Sequence, residues 1–194
     1  FNTIINEVAT VANDVVYLYG NKIDYIRVPT NTTGRSLTIA SKNDLKSVEI
    51  HSSPIPVIDI ASVVNLQSLI LKQSQQLTWI QAYPNIFLKT IDASQSTKLT
   101  KALVHGREIV SMNLSGCVAL KDIISATGYQ NMTALYIDGT AMTRASLLVV
   151  GNAWASRVGN TAGVVRLSQS LYDTLTTEDR SVFTNKNITF DIVA

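Results

Sequence analysis

Two histidines, one cysteine and a set of spaced glycines are the residues of this sequence that could serve catalysis, metal binding or phosphate binding. None stands at a spacing that such chemistry needs. His51 and His105 fall in different segments, and neither has a second ligand at the short interval of a zinc site. There is no Gly-x-Ser-x-Gly elbow, no Gly-x-x-x-x-Gly-Lys-Ser/Thr loop, no His-Glu-x-x-His and no Cys-x-x-Cys. Cys117 belongs to a periodic column of small residues, which reads as a buried, inert thiol. Gly151, Gly159 and Gly163 could cradle a phosphate, but a repeat of turns explains them more simply. Trp79 and Trp154 read as wall residues of a core. The expectation is a protein that is not an enzyme, with no catalytic residue, no cofactor and no metal.

Composition narrows the class further. At 194 residues, 46% hydrophobic and 15% charged, the chain can bury a sizeable core, and disorder is not expected. Its net charge of +2 is scattered with no basic run, so nucleic acid is not an expected partner. A single cysteine cannot build an internal disulfide. No apolar run approaches the roughly 20 residues of a membrane span, so no membrane insertion is expected within this chain. The start at Phe1 reads as a processed protein or a fragment.

A repeat must position any functional surface. Val28, Ile50, Leu71, Ala93, Leu114 and Ile137 follow one another at steps of 21–23 residues, with Leu167 and Phe190 continuing the series. Two residues before them stand Ile26, Val48, Leu69, Ile91, Met112, Leu135, Val165 and Ile188, all apolar. Three residues after them stand Asn31, Ser53, Ser74, Ser96, Cys117, Thr140 and Ser170, all small and able to hydrogen-bond. Three columns at one period mark a repeat architecture. The paired apolar positions predict short parallel strands pointing inward, each buried Leu or Ile contributing roughly 1.5–3 kcal/mol. The small column predicts side chains that bridge one coil to the next where the chain leaves its strand. Leu77 with Ile80, Leu99 with Ala102 and Leu120 with Ile123 supply an opposite wall, where Lys98–His105 and Leu120–Ala126 have room for a helical turn or two. Pro54-Ile55-Pro56 and Tyr83-Pro84 forbid a continuous helix in theirs.

Both ends depart from this pattern. Apolar residues at three- and four-residue spacing from Ile4 to Val15 predict a short helix, and residues 15–28 read as strand, turn, strand. These form either a cap over the first core layer or the tail of an earlier repeat, with the cap preferred. Ser36–Ala40 reads as a strand between two markers, either opposite the first coil or in a hairpin with residues 25–29, the hairpin being slightly favoured. Thr143–Arg157 predicts a helix and Val164–Leu167 a strand. Thr176 or Thr177 caps a helix to Asn185, with Glu178 and Asp179 in its first turn. Ile188–Ile192 is a final strand; if Ala194 is the natural end it is an edge strand, whose Thr189 and Asp191 would blunt pairing with strangers. The division is a cap with the first coil over 1–47, regular repeats over 48–142, and a long repeat with a cap over 143–194.

The run Asn113-Leu114-Ser115-Gly116-Cys117-Val118-Ala119-Leu120-Lys121-Asp122-Ile123, repeated in outline along the chain, resembles the leucine-rich repeats of secreted or cell-surface proteins of Bacteroidetes. The resemblance covers about residues 23–140 and extends to 193 with one long repeat. Segments Leu171–Arg180 and Thr184–Thr189 resemble the closing segments of repeat proteins in bacterial surface and phage-tail settings. The resemblance implies an α/β solenoid of leucine-rich-repeat type, with a parallel sheet on the concave face and short helices or turns on the convex side. It also implies an extracellular or cell-surface location, with the virion as the alternative.

Residues between and after the inward positions would tile the concave face. They include Glu49, His51, Lys72, Asp92, Asn113, Tyr136, Asp138 and Arg166, mixed in sign and set among Ser and Thr. These are the expected binding residues, for a protein or glycan partner. The four Asn-x-Ser/Thr sequences, at Asn31, Asn113, Asn131 and Asn187, read as incidental. The expected role is a non-enzymatic interaction or adhesion module; the alternative is a structural or receptor-binding segment of a phage tail or similar assembly.

Overall fold

The computed structural model describes residues 25–28, 37–38, 45–52, 54–60, 63, 65–125, 127–156 and 162–194. The expected helix over 2–15 and the turn that follows it lie outside these residues. Strands alternate between two layers: β1 (Tyr25–Val28), β2 (Leu37–Thr38), β3 (Ser47–Ile50), β4 (Val57–Asp59), β5 (Ser68–Ile70), β6 (Trp79–Ala82), β7 (Thr90–Asp92), β8 (Lys101–Val104), β9 (Ser111–Asn113), β10 (Asp122–Ser125) and β11 (Ala134–Tyr136). The chain then runs through α1 (Arg144–Ala153), β12 (Gly163–Ser168), α2 (Gln169–Tyr172), α3 (Thr177–Thr184) and β13 (Ile188–Val193). Odd-numbered strands up to β11, followed by β12 and β13, form an eight-stranded sheet; β2, β4, β6, β8 and β10 form a five-stranded one. Every pairing in both is parallel. The protein is therefore an α/β fold with two parallel sheets and few helices.

Period-two alternation decides which side chains enter the core between the sheets. Val48, Ile50, Leu69, Leu71, Ile91, Ala93, Met112, Leu114, Leu135 and Ile137 point in from the larger sheet and are buried. Ile58, Ile60, Ile80, Ala82, Ala102, Val104 and Ile123 meet them from the smaller one, with Leu77, Leu99 and Leu120 between the two. The small column works as expected at its centre. Ser96 Oγ donates to Leu71 O at 3.0 Å and accepts from Ser74 N at 3.2 Å, so one hydroxyl ties two laps of chain together. Cys117 Sγ does the same one lap on, donating to Ala93 O at 3.1 Å. Burial pushes its thiol up to about 11, which keeps it protonated and unreactive.

Several expectations give way. Lys98–His105 and Leu120–Ala126 do not make helical turns on the second side; β8 and β10 lie there. Lys101-Ala102-Leu103-Val104 alternates exposed and buried positions, and extended chain joins the β6 ladder residue for residue. Leu37–Thr38 pairs with β4 in the smaller sheet, so the favoured hairpin with residues 25–29 does not form. Trp79 is not a wall residue but stands 36% exposed on the outer side of β6, whereas Trp154 is buried and donates to Met132 O at 2.8 Å. The small column ends before Ser170, which is exposed and meets Ser168 instead. Thr140 turns back to its own Ile137 carbonyl at 2.8 Å. The last marker slips by two residues: Val165 pairs with Phe190 and Leu167 with Ile192, because β12 and β13 match over six residues.

Beyond Tyr136 helices replace the second sheet. Thr143 caps α1 by accepting from Ser146 N at 3.2 Å. Thr176 and Asp179 form a reciprocal capping box at the start of α3. Asp179 also takes both nitrogens of the Arg144 fork at 2.6 and 2.9 Å, tying the two helices together. This pair and the Thr176 backbone lower its carboxyl from 3.8 to about 2. At the other end of α1, Lys186 Nζ donates to the carbonyls of Gly151, Asn152 and Trp154 at 2.7, 3.1 and 2.6 Å. A cation there complements the negative end of the helix dipole. Gly151 is not part of a turn: it lies inside α1, where the Phe183 ring leaves no room for a Cβ. Phe183 in turn packs edge-on to Phe190, centroids 5.2 Å apart.

Candidate functional site: the outer face of the eight-stranded sheet

Register along the larger sheet turns sequence columns into rows. One outward row runs Glu49, Ile70, Asp92, Asn113, Tyr136, Arg166, Asp191, each directly opposite the next. A second runs Ser47, Ser68, Thr90, Ser111, Ala134, Val164, Thr189. Neighbouring members sit about 4.8 Å apart, the spacing of paired strands. Backbone bonds continue past the strand ends: Ser52 N donates to Lys72 O, Gln73 N to Ser94 O, Gln95 N to Ser115 O and Gly116 N to Asp138 O. His51, Lys72, Ser94, Ser115 and Asp138 therefore follow the strands in a third row.

All eight expected residues stand on this one face, in two groups. In the first, Glu49 meets His51 Nε2 at 2.5 Å and Lys72 pairs with Asp92 at 3.1 Å. Asp92 Oδ1 also accepts from Ser94 N and Oγ at 3.1 and 2.7 Å, which locks the carboxylate against its own strand exit. In the second, Asn113 Oδ1 accepts from Ser115 N at 3.2 Å, and Ser115 Oγ donates to Asp138 Oδ1 at 2.7 Å. The Arg166 guanidinium lies over the Tyr136 ring, 5.0 Å from its centroid, and its Nε donates to Asp191 at 2.7 Å. Asp191 holds the Arg166 pKa above its usual value, so this charge is permanent.

Asp191 is the member that sequence reasoning missed. Thr189 was placed opposite Arg166 by the marker spacing, and only the two-residue slip of β13 brings Asp191 there. Asn85 was missed as well. It is buried where the chain leaves the smaller sheet, and its Nδ2 donates to Ile60 O at 2.9 Å, bridging laps at the second corner. His105 sits at that same corner, stacked on Tyr83 with ring centroids 6.0 Å apart and far from the polar rows.

The face can hydrogen-bond and pair with charges, and Tyr136 offers one ring for stacking. Among the described residues no group of three or more His, Cys, Asp or Glu is placed to hold a metal ion, and no helix is long and apolar enough to cross a membrane. No protein-family model matches the chain, and no curated protein sequence matches it.

Proposed function

We propose that the chain is a leucine-rich-repeat solenoid, and that it serves as a non-enzymatic interaction module of a secreted or cell-surface bacterial protein. The eight-stranded sheet is its concave side, and a protein or glycan partner binds across Glu49, His51, Lys72, Asp92, Asn113, Tyr136, Asp138 and Arg166. The observation that carries this reading is the register: residues from six laps line up on one face, several of them in hydrogen bonds and ion pairs with their neighbours. Such pre-ordering lowers the entropy lost on binding. Tyr and Arg are the residue types that most often dominate binding energy, and here they stack on each other. The unbroken parallel ladder from β1 to β13 also favours a second reading, a spacer or receptor-binding segment of a phage tail on a virion.

The test is glycan-array and pull-down screening of the parent chain beside Tyr136→Ala and Arg166→Ala. The expected result is a ligand whose affinity drops roughly tenfold or more in both variants, with their melting close to the parent's. A ligand held equally well by all three proteins would remove the face from consideration.

A further inference from the structure

Asp138–Gly139 is the one Asp-Gly pair of the sequence, and there is no Asn-Gly. It lies where β11 leaves the eight-stranded sheet, with Asp138 half-buried in the third outward row and Gly139 exposed at φ 66°. In such a pair the glycine nitrogen can attack the preceding carboxyl, since glycine has no side chain to shield it. A parallel ladder prevents this by engaging the amide as a donor.

The ladder does so at the exits before this one. Inward residues donate forward to the next lap, Leu71 to Asp92, Ala93 to Asn113, Leu114 to Tyr136 and Ile137 to Arg166, so outward residues face the preceding lap. The exit amides continue the forward series: Ser52 to Lys72, Gln73 to Ser94, Gln95 to Ser115 and Gly116 to Asp138. Gly139 N comes next and meets no such carbonyl among the described residues, where the following lap turns into α2 at Ser168. Its peptide unit is therefore held on one side only. Asp138 O accepts from Gly116 N at 2.8 Å, and the N–H is left open.

The surroundings also favour the attack. A donor on the carbonyl oxygen stabilises the anionic form of an amide, which is the nucleophile. Arg166, whose charge Asp138 helps to hold, favours the same form. Ser115 Oγ donates to Asp138 Oδ1 at 2.7 Å and draws electrons from Cγ, the atom attacked.

We propose that Asp138 is a self-modifying site of the folded protein, converting through a cyclic imide to isoaspartate. Gly139 N bonds to Asp138 Cγ, and one carboxyl oxygen leaves as water, taking the amide proton and another from solvent. Water then opens the ring. Attack at Cγ breaks the new N–Cγ bond and restores aspartate. Attack at the Asp138 main-chain carbonyl breaks its bond to Gly139 N and leaves the chain running through Cγ. Either way the nitrogen regains its proton and solvent the other, so composition is unchanged. The second product adds a methylene to the main chain at this exit. It also moves the negative charge from the carbon that Ser115 serves to the one that Gly116 serves. The reaction does not depend on what the face binds.

The test incubates the folded parent, the same chain in guanidinium chloride, and folded Asp138→Glu, and then digests each with trypsin. Asp138 falls in the fragment of residues 122–144, between cleavage after Lys121 and after Arg144. Isoaspartate is read as a second form of this fragment, equal in mass, that resists an aspartate-specific protease at residue 138. It should accumulate in the folded parent at least as fast as in the unfolded chain. Asp138→Glu, whose larger ring closes far more slowly, should show none, with melting confirming that it is folded. A native parent that stays unmodified while the unfolded chain isomerises would overturn the proposal, and so would equal formation in Asp138→Glu.

Discussion

Residues 47–136 and residues 143–194 close the same kind of core by different means. In the first region the corners are tied by small neutral side chains, Ser96 and Cys117 on one side and Asn85 on the other. In the second they are tied by ions: Arg144 with Asp179, and Lys186 on three carbonyls. The cause is geometric. A strand-to-strand lap of 21–23 residues brings backbone within reach of a single hydroxyl or thiol. A helix holds its layer farther out, and there the long side chains of Arg144 and Lys186 span the gap beside the neutral bond from Trp154 Nε1 to Met132 O. Neutral ties should be indifferent to salt and pH, and ionic ties should not.

The largest expected effect tests whether the helical region melts with the rest. Phe183→Ala empties the space between α1, α3 and β13 and should cost about 3–5 kcal/mol in urea unfolding. One shared transition would show that the two regions fold as a unit, and two would separate them. Next, Ser96→Ala strands the Ser74 N–H and Leu71 C=O in the interior, at about 1–3 kcal/mol. Ser96→Cys should recover most of it, since Cys117 performs the same task, and neither loss should change with salt.

The ionic region answers to acid. The Asp179 carboxyl is lowered in the folded state, so its contribution is whole above the ordinary value of 3.8 and disappears as pH falls through about 2. Melting temperature of the parent should fall across that window, and Asp179→Asn should lack this part of the fall while melting lower at neutral pH. A parent and variant with parallel acid profiles would erase the contrast between the regions. The smallest effect concerns the exits of the larger sheet, where Ser52, Gln73, Gln95, Gly116 and Gly139 all have positive φ. Gln95, at φ 63°, takes a backbone shape that glycine adopts without cost. Gln95→Gly should therefore raise stability by up to about 1 kcal/mol, read as a higher urea midpoint.

Much of this fold was legible because Val48, Leu69, Ile91, Met112 and Leu135 are apolar at a near-constant interval, and parallel register converts that interval directly into a row. The outward rows followed from the same columns. The second sheet was not legible, because Trp79-Ile80-Gln81-Ala82 is too short for period two to stand out from a helical turn. The left-handed exits were hidden by Ser52, Gln73 and Gln95, where glycine would have marked them. Asp191 was lost to a shift of two residues, which preserves the face and so leaves no trace in the apolar pattern.

Because inward residues bond forward and outward residues bond back, the ladder has a head and a tail, and each circuit presents to its successor the same surface it accepted from its predecessor. Excising one whole circuit between matching corners, such as residues 75–96, would leave every surviving neighbour relation of the kind it had before. Length is thus a trait this molecule can vary: its reach can change by about 4.8 Å per circuit, and each excision takes one outward residue with it, here Asp92.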